Sequence, residues 1–327
     1  MKTTVSVMHS FSSRWTVAAF TAACALTLPG QSRVDAQGVR LKSGIAMVPL
    51  TVTVTDTTGK YVRGLTADDF RVFEDDVQQS LSFFACDEVP VDVALVLDTS
   101  GSMRADLPLV QAAATGLVRK LRPIDRGAVV EVKDTAGIPQ PFTSDQGQVE
   151  AAIRGLSTSG STALYDGLYV VLKEFERERR TNVGVRRQIL VLLSDGLDTR
   201  SHLSFEDVMA FARRVDVSIY VIALKGDVAP TPRSASDGHI LHAAYAMGTV
   251  ARESGGRTFF PKSARELPAI YSAIAEEFVN QYELGYIPTR PGGDGAFRRV
   301  TVRVPPQTNA LARTRSGYYA ARTRAGM

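Results

Sequence analysis

Cysteine is nearly absent: a chain of 327 residues holds two, Cys24 and Cys86. A disulfide framework is therefore excluded as the basis of the fold. Cys24 falls inside an N-terminal segment that reads as a leader. There Lys2 and Arg14 precede a charge-free apolar run from Trp15 to Leu28, and Val34-Asp35-Ala36 has the small-x-small form of a cleavage site. The run is shorter than the ~20 residues that a transmembrane helix needs. Cleavage near Ala36 is the expectation, with lipidation of Cys24, which follows Ala22-Ala23, or an uncleaved anchor as the competing readings. The mature chain would then keep Cys86 alone, a small hydrophobe at the end of Leu81-Ser82-Phe83-Phe84-Ala85. Trp15 is the only tryptophan and would leave with the leader. Histidine is scarce too, and His239 and His242 have no cysteine partners nearby, which argues against a zinc site.

A strong charge of either sign is also missing. The net charge is +4, and loss of Lys2, Arg14 and Arg33 against Asp35 would leave +2, no footprint for nucleic acid. Arg313, Arg315, Arg322 and Arg324 crowd the C-terminus and read as a solvated tail rather than a contact for an anionic surface. Neither a glycine-rich phosphate loop ending in Gly-Lys-Ser/Thr nor a Gly-x-Ser-x-Gly nucleophile turn is present. A 44% hydrophobic and 22% charged composition is that of a globular protein, so disorder is not the default.

What is present divides into three stretches after the leader (1–36). Residues 37–90 look β-rich: Val48 to Val54 alternates, and Phe70 to Phe73 and Gln79 to Phe84 read as strands joined at Asp75-Asp76. Thr66 with Asp68-Asp69 suggests one capped helical turn just before them. From 91 to 280 apolar strands alternate with amphipathic helices. Val91–Leu97, Ala128–Val132, Gln188–Leu193 and Ser218–Leu224 are strands. Ala105–Leu121, Gln146–Leu156, Ala163–Glu178, Phe205–Arg214, Ile240–Ser254 and Ala264–Val279 are helical, with a Pro- and Ser-bearing loop over 225–237. This alternation predicts an α/β fold with a doubly wound parallel sheet. Residues 281–327 return to β, with strands over Gln281–Pro288, around Val300, Val302 and Val304, and over Leu311–Tyr319. Neither flank is long enough to bury a core alone, so the two are expected to pair as one small β-sandwich.

The strand Val91–Leu97 runs into Asp98-Thr99-Ser100-Gly101-Ser102, a carboxylate followed at alternate positions by two hydroxyls. In an open α/β sheet, ligands bind outside the carboxyl ends of the strands. One carboxylate with two neutral hydroxyls suits a hard, oxygen-seeking cation better than catalysis. Two more loops follow in order, Gly160-Ser161-Thr162-Ala163-Leu164 and Leu193-Ser194-Asp195-Gly196. On these three loops the chain resembles the von Willebrand factor type A domain family, over roughly Asp92 to Tyr282. The flanks Phe70–Asp75, Gln281–Tyr286 and Ser316–Tyr319 are similar to exported bacterial relatives of it. The resemblance implies a Rossmann-like fold and a metal-ion-dependent adhesion site built from Asp98, Ser100, Ser102, Thr162 and Asp195.

The donor chemistry agrees. Magnesium, or manganese, wants six oxygens; the three hydroxyls can bind directly, and the two carboxylates, bound through water, balance a divalent ion. Neutral direct ligands leave the cation able to accept a carboxylate from a protein partner. Asp166 reads as support for a helix start, and Asp198, Thr199 and His202 as rim or solvent-exposed residues. The expected function is an exported (periplasmic, cell-surface or secreted) adhesion module, not an enzyme and not inserted in the membrane after cleavage. A scaffold subunit of an envelope assembly, its metal only fixing loop geometry, is the alternative. A hydrolase or phosphotransferase is more remote: the second acid expected two residues after Asp98 is Ser100, and no lysine is evident to neutralise a phosphoryl group.

Overall fold

The structure, a computed structural model, describes residues 47–86, 89–181, 184–195, 198–224, 245–290, 293–305 and 309–320. The expected leader with Trp15, Cys24 and Ala36, the expected loop over 225–237, His239, His242, Arg322 and Arg324 lie outside the described residues. Among the described residues no helix is long and apolar enough to cross a membrane.

In chain order the strands before the α/β unit are β1 (Val48–Asp56), β2 (Arg71–Glu74), β3 (Val77–Gln79) and β4 (Leu81–Ala85). The α/β unit follows as β5 (Val91–Asp98), α1 (Leu107–Val118), β6 (Arg126–Val132), β7 (Ala136–Thr143), α2 (Gln146–Gly155), α3 (Leu164–Thr181), β8 (Arg187–Ser194), α4 (Phe205–Ala212), β9 (Ser218–Ala223), α5 (245–253), β10 (Thr258–Phe259) and α6 (Leu267–Phe278). The chain returns to strands with β11 (Gln281–Tyr286), β12 (Phe297–Arg303), β13 (Ala310–Arg313) and β14 (Gly317–Tyr319).

The central sheet has the order β10-β9-β8-β5-β6-β7 and is parallel except for β7. Every residue of β5, β8 and β9 is buried, as a sheet covered on both faces requires. Side chains of β5 alternate between two cores: Val93, Leu95 and Leu97 meet α1, α2 and α6, while Ala94 and Val96 meet α3, α4 and α5. α3 offers Leu164, Leu168, Val171, Leu172 and Phe175 at helical spacing to the second of these. Pro108 and Pro268 explain why α1 and α6 start later than their apolar patterns suggest. Proline lacks an N–H and fits only a helix's first turn.

The strand β7 was not legible, because its sequence Ala-Gly-Ile-Pro-Gln-Pro-Phe-Thr carries Pro139 and Pro141. Proline cannot donate to a ladder, and β7 is the outermost strand on its side, where missing donors cost little.

The flanking strands form two antiparallel sheets, β13-β1-β11-β4 and β14-β12-β2-β3, each mixing strands from both ends of the chain. They share one core that includes Leu50, Val52, Phe70, Val72, Tyr282, Leu284, Val300 and Val302. The predicted small sandwich is therefore present, and the predicted turn over Ala67–Asp69 carries a Thr66–Asp69 capping box. Two expected strands are corrected. Gln79–Phe84 breaks at Ser80, and Leu311–Tyr319 breaks after Arg313; in each case the two halves lie in different sheets, so the break is where the chain turns the corner. Asp75 and Asp76 make the β2–β3 turn with positive φ of 45° and 67°, a conformation that Asp tolerates better than most residues.

Buried polar contacts join the sandwich to the α/β unit. Arg187, at the start of β8, donates to Glu283 on β11 at 2.9 Å and to the carbonyls of Phe278 and Gln281. Burial pushes the Glu283 carboxyl up to about 7, against the pull of Arg187 and a hydrogen bond from Thr51. Glu277 on α6 accepts from Tyr220 at 2.6 Å and pairs with Arg313. Arg315 pairs with Asp216 at 3.2 Å and donates to the Pro49 carbonyl. Arg313 and Arg315 thus stitch the two parts together; they are not a solvated tail. Cys86 is half-buried and forms no disulfide.

Candidate metal centre

From β5 the chain moves outward to β6 and β7, then crosses back to β8 on the other side of β5. The carboxyl ends of β5 and β8 therefore flank the topological switch point, where an open α/β sheet opens a crevice. The register pairs Leu97 with Leu193, so the next residues, Asp98 and Ser194, face each other across it.

Asp98 is fully buried. Its Oδ1 accepts from the Ser100 amide at 2.9 Å, and its Oδ2 accepts from the Ser194 hydroxyl at 2.7 Å. Burial raises the Asp98 carboxyl pKa; hydrogen bonds from Ser100 and Ser194 oppose this, and the neighbouring charge of Asp195 adds to it. Among the described residues neither Asp98 nor Asp195 has an ion-pair partner, so two adjacent carboxylates lack a countercharge from the protein. Ser100 is buried, Ser102 is exposed, and their hydroxyl oxygens lie 3.0 Å apart.

The second loop is bound to the first through its backbone. Gly101 N donates to Gly160 O and Ser159 N to Thr99 O, both at 3.0 Å. Gly160 has φ +64°, and a Cβ there would fall 1.9 Å from Asp134 Oδ2, so any other residue would be strained and would displace the Asp134 carboxylate. Asp134 in turn accepts from Ser161 N at 2.9 Å. Thr162 is buried and its backbone is clamped by the third loop: its amide donates to Thr199 Oγ1, and its carbonyl accepts from the amides of Thr199 and Arg200. The structure thus joins the Asp98, Ser100 and Ser102 cluster to the loop of Thr162 by hydrogen bonds, and places half-buried Asp195 close enough to Asp98 to shift it.

The surrounding residues act differently from expectation. Asp198 is half-buried and has a structural part: its Oδ1 accepts from Leu164 N at 2.8 Å, capping α3, and from Ser201 Oγ at 2.6 Å. Thr199 is exposed yet holds Thr162. Asp166 binds the third loop rather than its own helix end, accepting from His202 N, Leu203 N and His202 Nδ1. Burial would raise the Asp166 carboxyl, but these contacts outweigh it and hold it below the usual range. Ser194 and Asp134 were not singled out in the sequence. The available signal for Ser194 was parity, since parallel strands in register place residues one step past a matched pair on the same face.

Among the described residues no group of three or more His, Cys, Asp or Glu is placed to hold a metal, so a cation here would depend on hydroxyl oxygens as well as carboxylates. Two carboxylates with no ion-pair partner among the described residues, and three hydroxyls on the same loops, are donors of the type that a hard divalent ion takes.

Residues 93–197 match the model of the von Willebrand factor type A domain family. A solved structure of von Willebrand factor type A from Catenulispora acidiphila aligns over 90% of this chain and 76% of its own, at 10% identity and a TM-score of 0.50, a likeness of fold. BatB from Bacteroides thetaiotaomicron is 17% identical over 57% of this chain and 97% of its own, with a TM-score of 0.44. Proximal thread matrix protein 1 of the mussel byssus, in a structure described with a zinc-occupied MIDAS motif, is 20% identical over 63% of this chain, with a TM-score of 0.45. The chain spans about half the length of that protein, 49%. No curated protein matches the sequence.

Proposed function

Because the chain carries a von Willebrand factor type A domain, we propose that it is an exported binding module, not an enzyme, which captures an acidic group of a protein partner through one magnesium or manganese ion held by Asp98, Ser100, Ser102, Thr162 and Asp195. The observation that carries this reading is the meeting of Asp98 and Ser194 across the switch point, with Asp195 adjacent and, among the described residues, no basic side chain paired to either carboxylate. When bound, the cation supplies positive charge and a position for a carboxylate from outside. Ser100, Ser102 and Thr162 contribute neutral oxygens, so the two aspartates balance the ion without exhausting its attraction for a further anion. Ser194 and the Ser100 amide orient Asp98, Gly160 holds the second loop against the first, and Thr199 holds it against the third.

A pull-down from envelope extract, with and without chelator, tests the reading. Capture that is lost in chelator and lost in Asp98→Ala is the expected result. Capture that survives both favours a scaffold role in which the metal only fixes the loops. Export is tested separately by N-terminal sequencing of secreted material: a start near Gln37, and no tryptophan fluorescence once Trp15 is gone, is expected. An intact Met1 or a lipidated Cys24 would refute it.

A further inference from the structure

Where α5 and β10 of the α/β unit face β12 and β13 of the sandwich, they leave a cleft of about 380 Å³ that shares no residue with the Asp98 site. Its lining includes four arginines, Arg252, Arg257, Arg313 and Arg315, and no aspartate or glutamate. Two of these charges are already balanced, Arg313 by Glu277 and Arg315 by Asp216. Arg252 and Arg257 are exposed and have no acidic partner among the described residues; Arg252 donates only to Thr249, and Arg257 stacks over the Phe259 ring at 5.1 Å. Glu253, the acidic neighbour of Arg252, is taken by a bidentate pair with Arg213. Among the described residues, the cleft therefore carries two positive charges without an acidic partner.

Two buried polar atoms in the same lining have no hydrogen-bond partner among the described residues, Thr314 Oγ1 and Arg315 Nε. Arg315 is held rigidly by Asp216, the Pro49 carbonyl and the Tyr318 ring, and its side chain is 10% exposed. A buried donor left unmet is expensive, and guanidinium groups match tetrahedral oxyanions with paired N–H donors. We propose that this cleft binds a dianionic tetrahedral oxyanion, a phosphate monoester or its inorganic counterparts phosphate and sulfate. Arg252 and Arg257 supply the countercharge, and Thr314 and Arg315 supply hydrogen bonds. The volume exceeds that of a bare oxyanion, leaving room for the small organic group that carries it. Because the walls come from both parts of the chain, the ligand would also fasten the sandwich to the α/β unit.

Calorimetric titration of the full chain, at constant ionic strength set with chloride, tests this with inorganic phosphate, sulfate and a hexose monophosphate. One saturable site is expected, with affinity falling about tenfold in Arg252→Gln and again in the double variant with Arg257→Gln, as loss of one charge-assisted contact each predicts. Arg179→Gln, an exposed arginine on α3, should leave binding unchanged. Tighter binding of the hexose monophosphate than of inorganic phosphate would assign the rest of the cleft to the organic group; equal binding would assign the site to the free oxyanion. Both substituted arginines are exposed, so the variants should keep the wild-type fold by circular dichroism. Absence of saturable binding by all three probes, or equal binding by wild type and the double variant, would overturn the proposal.

Discussion

The Ser194 hydroxyl donates to Asp98 Oδ2 at 2.7 Å, joining the ends of the two strands that flank the switch point of the sheet. Asp98 is fully buried beside a second carboxylate, so this bond is one of the few things that make its charge tolerable. Ser194→Ala should destabilise the metal-free protein at neutral pH by about 1–3 kcal/mol, the typical consequence of leaving a buried acceptor unmet. Urea unfolding measures it. An unchanged midpoint would mean that the bond contributes nothing net.

Divalent metal should raise the melting temperature, and chelator should return it to its starting point. A ligand confined to the folded state stabilises it by about 2.7 kcal/mol at a hundredfold excess over Kd. Asp98→Ala should abolish that response. The sign for the metal-free variant is the opposite: a buried carboxyl whose pKa is raised favours its neutral form, and its stabilisation is lost as pH rises through that raised value. Metal-free Asp98→Ala should therefore melt no lower than wild type at neutral pH. A full metal-induced shift in the variant would remove Asp98 from the site.

Glu283 predicts a pH dependence of its own. Its carboxyl is raised from 4.5 to about 7 by burial, with Arg187 and Thr51 pulling down and Asp216 adding to the rise. The contribution is fully present below pH 4.5 and is lost as pH climbs through about 7, a change of roughly 3 kcal/mol. Glu283→Gln, which imitates the protonated side chain, should flatten the stability profile between these values. A variant whose melting temperature still falls across that window as steeply as wild type would show that other groups are responsible.

Deleting 280–327 removes β11 and β13, the two neighbours of β1, and β12, one of the two neighbours of β2. The segment 48–85 should then become sensitive to limited proteolysis. A protease-resistant N-terminal fragment would show that these strands fold without their distant partners.

The α/β alternation could be read from the sequence because the strands are long apolar runs and the helices repeat at 3.6 residues, as in Val91–Leu97 and Leu164–Phe175. Asp98, Ser100, Ser102 and Asp195 could be singled out because motif and strand end coincide, whereas Thr162, on the loop between α2 and α3, was marked by the family resemblance alone. The strand with Pro139 and Pro141 was hidden, since its pairing depends on a place at the sheet edge that only the assembled fold defines. Asp198, Thr199 and Ser201 look like ordinary loop polarity. Their roles come from bonds spanning more than thirty residues, such as Thr199 to Thr162 at a separation of 37. Arg313 and Arg315 looked like tail charge because nothing local announces Glu277 or Asp216.

The place of β1 between β11 and β13 fixes an order of events in synthesis. The first described strand leaves the ribosome with an apolar stripe and two unpaired edges, and its partner residues are more than 200 positions away, as with Thr51 and Glu283 at a separation of 232. The α/β unit has its partners close at hand and can form in the interval, whereas loop closure makes the sandwich late and slow. For that whole period β1 and β2 are exposed to wrong pairing, including with another copy of themselves. The last strands to emerge are the ones that end that exposure, so a chain interrupted anywhere before Gln281 still displays the edge that marks it as unfinished.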